Sequence, residues 1–172
     1  MKSRRLERNF FMNESVEVAK ELIGKILVRV WDDNSVSRYL ITKTEAYSGE
    51  EDLACHASKG RTARTEVMYD EGGKIYVYLI YGMHWMLNFV TGEKDNPQAV
   101  LICGVENISG SGRVGKALKI DKSFYGEDLI NSDRIWIEDN NQQFSYNSVR
   151  RVGIDYAGDI WKNKLWRFEI LL

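Results

Sequence analysis

The residues able to do chemistry fall in three short stretches. In Thr44-Glu45-Ala46-Tyr47 a carboxylate and a phenol stand two positions apart, so on a strand both project from one face, roughly 7 Å apart. A carboxylate beside an aromatic near the end of an apolar strand suits a general base; an edge-strand glutamate in water has the same pattern. In Asp52-Leu53-Ala54-Cys55-His56-Ala57 one of the two histidines follows one of the two cysteines. Without paired spacing these four residues make a poor zinc set, and no metal is expected. The third stretch holds two β-prone segments, 75–80 and 85–90, around Tyr81-Gly82-Met83-His84. With the turn centred on Met83, Tyr78 stands opposite Asn88 and both side chains share a face. The tip then offers several large aromatic and apolar groups to water, which a soluble protein rarely does without a use. Packing of the tip against its own core, or against a second copy, is the bland alternative.

These groups need a scaffold, and the pattern supplies one. Asn13-Glu14 reads as a helix start, with an Asn cap and an acid in the first turn. Val16, Ala19, Leu22 and Ile23 recur at helical spacing, and Gly24 ends the run. Segments 25–31 and 38–47 read as strands joined by the polar Asp32-Asp33-Asn34-Ser35 loop. Residues 52–58 read as a short helix, followed by a turn at Gly60-Arg61-Thr62. Segment 99–105 has the length and apolarity of a core strand, and 114–120 reads as a helix opened by Gly110-Ser111-Gly112. The chain closes with a strand-like Trp166-Arg167-Phe168-Glu169-Ile170. One domain over 1–172, α+β and mostly antiparallel, is the expected class.

At 172 residues and 44% hydrophobic, the chain is long enough for one well-filled core. Two cysteines are too few for a disulfide framework, which favours a reduced, intracellular setting. The basic start is not followed by an apolar run, so it does not read as a secretory signal. No stretch has the length and apolarity of a membrane span. Lys and Arg total 24 against 25 Asp and Glu, so a nucleic-acid face would have to come from local segregation of charge. Lys59, Arg61 and Arg64 cluster, as do Arg113, Lys116 and Lys119; Glu50-Glu51-Asp52 and Asp121 read as acidic patches. An ordinary mixed surface gives the same clusters.

Taken in order, the segments resemble the alkyladenine (3-methyladenine) DNA glycosylase family. The resemblance rests on Phe10-Phe11, Val18-Ala19, Leu22-Ile23-Gly24-Lys25, Glu45-Ala46-Tyr47, the 52–57 stretch and Gly60-Arg61-Thr62-Ala63-Arg64. It continues through Tyr76 to His84, Asn88, Glu106, the 110–120 segment, Arg151-Val152-Gly153-Ile154 and Trp166-Arg167-Phe168. It implies a curved, open antiparallel sheet or open barrel with flanking helices and a protruding hairpin, similar to the C-terminal domain of formyltransferases. It also implies a monofunctional glycosylase that flips an altered purine out of duplex DNA and leaves an abasic site. Glu45 would be the general base and Tyr81 the wedge that fills the gap in the stack. Tyr47, His56 and Tyr78 would sandwich the base, and Asn88 would line the pocket floor and disfavour guanine. No metal or organic cofactor is implied. The partner would be double-stranded DNA carrying damaged purines, met by an intracellular, DNA-associated monomer.

The sequence departs from the family at one chemical position. Where relatives carry an arginine that helps hold the attacking water, this chain has Cys103. A thiol has no charge at rest and donates weakly. Another arginine reaching in, a poorly held water, and a catalytically inactive relative that only binds lesions or nucleic acid are the readings this leaves.

Overall fold

The structure is a computed structural model, and it describes residues 4–172. Nine antiparallel strands form one open sheet among the described residues. They are β1 (Ile26–Val30), β2 (Val36–Ser48), β3 (Ile75–Ile80), β4 (His84–Thr91), β5 (Gln98–Val105), β6 (Ile108–Ser109), β7 (Ile135–Glu138), β8 (Tyr146–Val149) and β9 (Arg167–Ile170). The main path is β3-β4-β5-β2-β1-β7, with β9 joining β2, β8 joining β9 and β6 joining β5. The helices are short: α1 (Arg8–Phe11), α2 (Ser15–Leu22), α3 (Ser111–Ala117) and α4 (Gly158–Lys162).

Strand alternation divides the molecule into a core side and an open side. On one face Ile75, Val77, Leu87, Phe89, Val100 and Ile102 are buried with Val18, Ala19 and Leu22 of α2 and Val114 and Leu118. On the other face Tyr76, Val90 and Ala99 pack with Cys55, Ala57, Met68 and Tyr69 from the connection between β2 and β3. Burial of large apolar side chains, each contributing about 1.5–3 kcal/mol, fixes which residues face which way. A one-residue slip would exchange the two sets.

β2 changes phase in its middle. Ile41, Thr44 and Ala46 are all fully buried, although an unbroken strand would put residues 41 and 44 on opposite faces. The pairing with β5 runs Ile41 with Val105, Lys43 with Gly104 and Thr44 with Ile102, so it is irregular on both strands. Gly104 permits this: a Cβ there would lie 2.9 Å from the Thr42 hydroxyl and 3.1 Å from the Lys43 Cβ. The shift keeps Thr44 and Ala46 toward α2, where the Thr44 hydroxyl donates to the Ala19 carbonyl at 2.8 Å. Glu45 and Tyr47 are thereby directed to the open side.

Four expectations from the sequence are corrected. Segment 52–58 is not a helix; only a 3-10 turn over His56–Lys59 forms there, because Asp52 is fully buried and its carboxylate is engaged by partners elsewhere in the chain. For the same reason Asp52 is not part of a surface acidic patch. The hairpin turn is centred on Gly82, so Tyr76 stands opposite Asn88, and Tyr78 stands opposite Met86. Tyr78 and Asn88 still share a face, since the register differs by two residues. The helix near Ser111 begins and ends three residues earlier than the spacing suggested; it stops where Lys119 takes a left-handed conformation (φ 52°) and Ile120 returns its N–H to the Gly115 carbonyl.

Candidate active site

A single row of residues crosses five adjacent strands on the open side. Tyr76 on β3 pairs with Asn88 on β4, Asn88 with Leu101 on β5, Leu101 with Glu45 on β2, and Glu45 with Arg167 on β9. Their side chains form the floor of a cavity of about 650 Å³, within the roughly 300–1,000 Å³ typical of small-molecule sites. Tyr47, Tyr78 and Cys103 rise from the same strands, His56 comes from the β2–β3 connection, and Val152 to Tyr156 close the side near β9. All seven residues singled out in the sequence line this one cavity.

Glu45 is 2% exposed and both its oxygens are engaged. The Tyr47 hydroxyl donates to Oε1 at 2.8 Å. The Val152 N–H donates to Oε2 at 2.8 Å and Arg167 Nη1 to the same oxygen at 3.0 Å. Tyr47 thus faces the cavity with its ring while its hydroxyl steadies the carboxylate. Burial, and then the negative charge of Glu45, push the Tyr47 phenol well above its usual range. It is a neutral donor at physiological pH.

The aromatic wall opposite is a cluster of three rings. His56 meets Tyr78 edge to face with centroids 4.5 Å apart, and its Nδ1 lies 2.8 Å from the Tyr76 hydroxyl. Burial, followed by the nearby charges of Arg64 and Lys59, lowers the His56 pKa to about 4, so the imidazole is neutral at physiological pH. Burial raises the phenols of Tyr76 and Tyr78. Asn88 donates its amide to the Tyr76 carbonyl at 3.3 Å, which fixes its orientation on the floor. Arg64 lies over the outer side of the Tyr78 ring, 5.1 Å from its centroid.

Cys103 is fully buried and faces the cavity. Burial, and next the Glu45 charge, hold its thiol well above the usual range, so the sulfur is uncharged. Burial likewise raises Cys55 to about 12. Among the described residues no three His, Cys, Asp or Glu side chains converge as a metal cluster. No helix among them is long and apolar enough to cross a membrane. At the mouth, Tyr81 is 89% exposed and Met83 beside it is also exposed. Of the basic residues, Lys59, Arg61, Arg64, Arg113, Lys116 and Lys119 are all exposed, but Arg61 is already paired with Glu66 and Asp95.

Three contributors were not singled out from the sequence. Arg167 is visible there only as a charge between two aromatic residues. The Val152 N–H carries no side-chain signal at all. The third is Arg151, whose guanidinium pairs with Asp52 behind the Tyr47 ring, 4.9 Å from its centroid; a contact across that separation leaves no local pattern.

Comparison with known proteins bears on the same residues. A sequence model described as Methylpurine-DNA glycosylase (MPG) matches residues 9–110 and 104–171. A protein of Natranaerobius thermophilus is 40% identical over 190 residues, covering 96% of this chain and 95% of its own. One from Borreliella burgdorferi (strain ZS7) is 42% identical over 178 residues, covering 96% and 95%. One from Clostridium novyi is 39% identical over 195 residues, covering 97% and 95%. All three bear the name "Putative 3-methyladenine DNA glycosylase". Both matched segments together take in the whole row from Glu45 to Arg167 and both walls of the cavity. The chain belongs to the methylpurine-DNA glycosylase family.

Proposed function

We propose that this protein flips an alkylated or deaminated purine out of duplex DNA and hydrolyses its N-glycosidic bond, leaving an abasic site. The observation that carries the reading is a buried carboxylate, Glu45, held in the floor of an aromatic cavity whose mouth carries an exposed tyrosine. Tyr81 occupies the space left in the stack, at a cost in unstacking of a few kcal/mol. The flipped purine lies between Tyr47 on one side and His56 with Tyr78 on the other. A methylated purine carries positive charge, and electron-rich rings beside a neutral imidazole accept it better than a charged wall would. Asn88, with its amide turned to the Tyr76 carbonyl, meets the base edge and rejects the exocyclic amine of guanine.

In the reaction, a water oxygen bonds to the sugar C1′ as the C1′–N bond breaks, and the bonding pair leaves with the purine. Glu45 takes the water's proton, and its charge favours the oxocarbenium-like sugar that forms on the way. Base catalysis of this kind contributes about 10²–10⁴-fold. The partner is damaged double-stranded DNA, which an intracellular monomer engages through Tyr81 and exposed basic residues.

The test is to incubate the protein with methylated duplex DNA, and separately with duplexes carrying one hypoxanthine or one ethenoadenine, and to quantify released bases by chromatography. Release by the native protein and loss of release in Glu45→Gln is the expected result. Lesion-selective binding with no release from any substrate would leave a binding protein and overturn the enzymatic reading.

A further inference from the structure

We propose that Arg167 supplies, from β9, the positive charge that the carboxylate of Glu45 needs and that position 103 on β5 does not provide in this chain. The inference rests on the reading of Glu45 as the base. Glu45 stands between β5 and β9, paired with Leu101 on one side and Arg167 on the other. A carboxylate only 2% exposed is strongly disfavoured unless a charge or several donors compensate it. On the β5 side the neighbouring cavity residue is Cys103, which burial keeps neutral. On the β9 side Arg167 Nη1 lies 3.0 Å from Oε2 in an ion pair whose side chains are 13% and 2% exposed.

The guanidinium is itself fixed. Its Nε donates to Glu169 Oε2 at 2.8 Å, two residues along the same strand, so the fork points at Glu45 in one orientation. Arg151, the other buried guanidinium near Tyr47, is committed to Asp52. Arg167 also lines the cavity, and its charge acts on the Cys103 thiol in the sense opposite to burial. It therefore approaches the carboxylate from the side of β2 opposite position 103. Arg167 is a positioning residue: it pairs with Glu45 and aims it, and Glu45 takes the proton.

Single-turnover base release from a methylated duplex, together with the dissociation constant for the same duplex, tests this. Arg167→Met is expected to slow release about a hundredfold, as loss of a preorganised charge does, with binding changed by less than about threefold. Arg167→Lys, which keeps the charge, should regain roughly tenfold of that loss. Cys103→Arg placed in the Arg167→Met background should regain a similar factor, by returning a cation to the β5 side. Release by Arg167→Met at about the native rate overturns the proposal. So does Arg167→Lys releasing no faster than Arg167→Met, which would make the residue's shape, and not its charge, what matters. If Arg167→Met does not fold, Arg167→Gln takes its place in every comparison: release from it at about the native rate, or no faster release from Arg167→Lys, overturns the proposal. Glu45→Gln is measured alongside: native-like release from it would remove the assignment of Glu45 itself, a failure distinct from that of Arg167.

Discussion

Arg151 and Asp52 form a bidentate ion pair, 2.6 and 3.0 Å long, in which both side chains are completely buried. The pair ties the loop that carries the Val152 N–H to the segment after β2. Asp52 also accepts from the N–H groups of Ser48 and Ala54, and Arg151 donates to the carbonyls of Ala46 and Trp161. Asp52→Asn keeps the shape and leaves a guanidinium unpaired in the interior. We expect a loss of about 3–5 kcal/mol in unfolding free energy, measured by urea denaturation. A loss below about 1 kcal/mol, the range of an exposed pair, would mean that water reaches the pair.

Tyr47 makes two separable contacts: its ring faces the cavity, while its hydroxyl donates to Glu45 at 2.8 Å. Tyr47→Phe keeps the ring and removes the donor. A hydrogen bond to a charged group is worth about 1.5–3 kcal/mol, so the single-turnover rate should fall roughly 10- to 100-fold with lesion binding retained. Tyr47→Ala should lose binding as well. Equal loss of binding in both variants would show that the hydroxyl serves the base and not the carboxylate.

His56 sets a pH dependence of stability. In the unfolded chain an imidazole titrates near 6.5; in the fold, burial first and then Arg64 and Lys59 bring it to about 4. Between those values the unfolded chain binds more protons, so stability falls as pH falls. The contribution of His56 is complete above about 6.5 and is lost by about pH 4. Its size is about 2 kcal/mol after allowance for the part of the ring open to solvent. His56→Gln should flatten the dependence of unfolding free energy on pH across that window. An unchanged slope in the variant would assign the dependence to other groups.

How much of this was legible in the sequence follows from the range of each interaction. Local β-propensity and loop residues identified β1 to β4, an apolar run of strand length identified β5, and the two-residue period put Glu45 with Tyr47, and Tyr78 with Asn88, on common faces. Those relations depend only on local period and survived a two-residue error in the hairpin register. Residues 52–58 were misread because their pattern of apolar spacing is helical, whereas Asp52 is drawn inward by Arg151, 99 residues away. The phase change in β2 was equally invisible, since it requires Gly104 on another strand. Arg167 lay in a strand that was recognised, yet nothing local says which carboxylate an arginine will meet. The resemblance supplied the residues of the cavity, and left open what serves Glu45 where Cys103 stands.

Tyr81 is held in a conformation that its side chain disfavours. Of the six non-glycine residues at positive φ among the described residues, four are Asn or Asp; Tyr81, at φ 51°, is the one aromatic. It and Gly82, at φ 66°, are the two central residues of the hairpin turn, which the Met83 N–H closes on the Ile80 carbonyl at 3.1 Å. Turns with two positive φ values favour Asn-Gly, and a left-handed backbone costs an ordinary L-residue roughly 1–2 kcal/mol. The tyrosine also gains nothing from burial, being 89% exposed. Its presence is therefore a cost to the fold that a wedge into DNA would account for. Tyr81→Asn relieves the strain and removes the wedge, so the two effects have opposite signs. We expect the unfolding free energy to rise by about 1 kcal/mol while affinity for a lesion-bearing duplex falls about tenfold or more. Thermal denaturation and fluorescence anisotropy on the same preparation measure both. A variant that is more stable and binds the lesion duplex as tightly as the native protein would leave the strain real and the wedge assignment wrong.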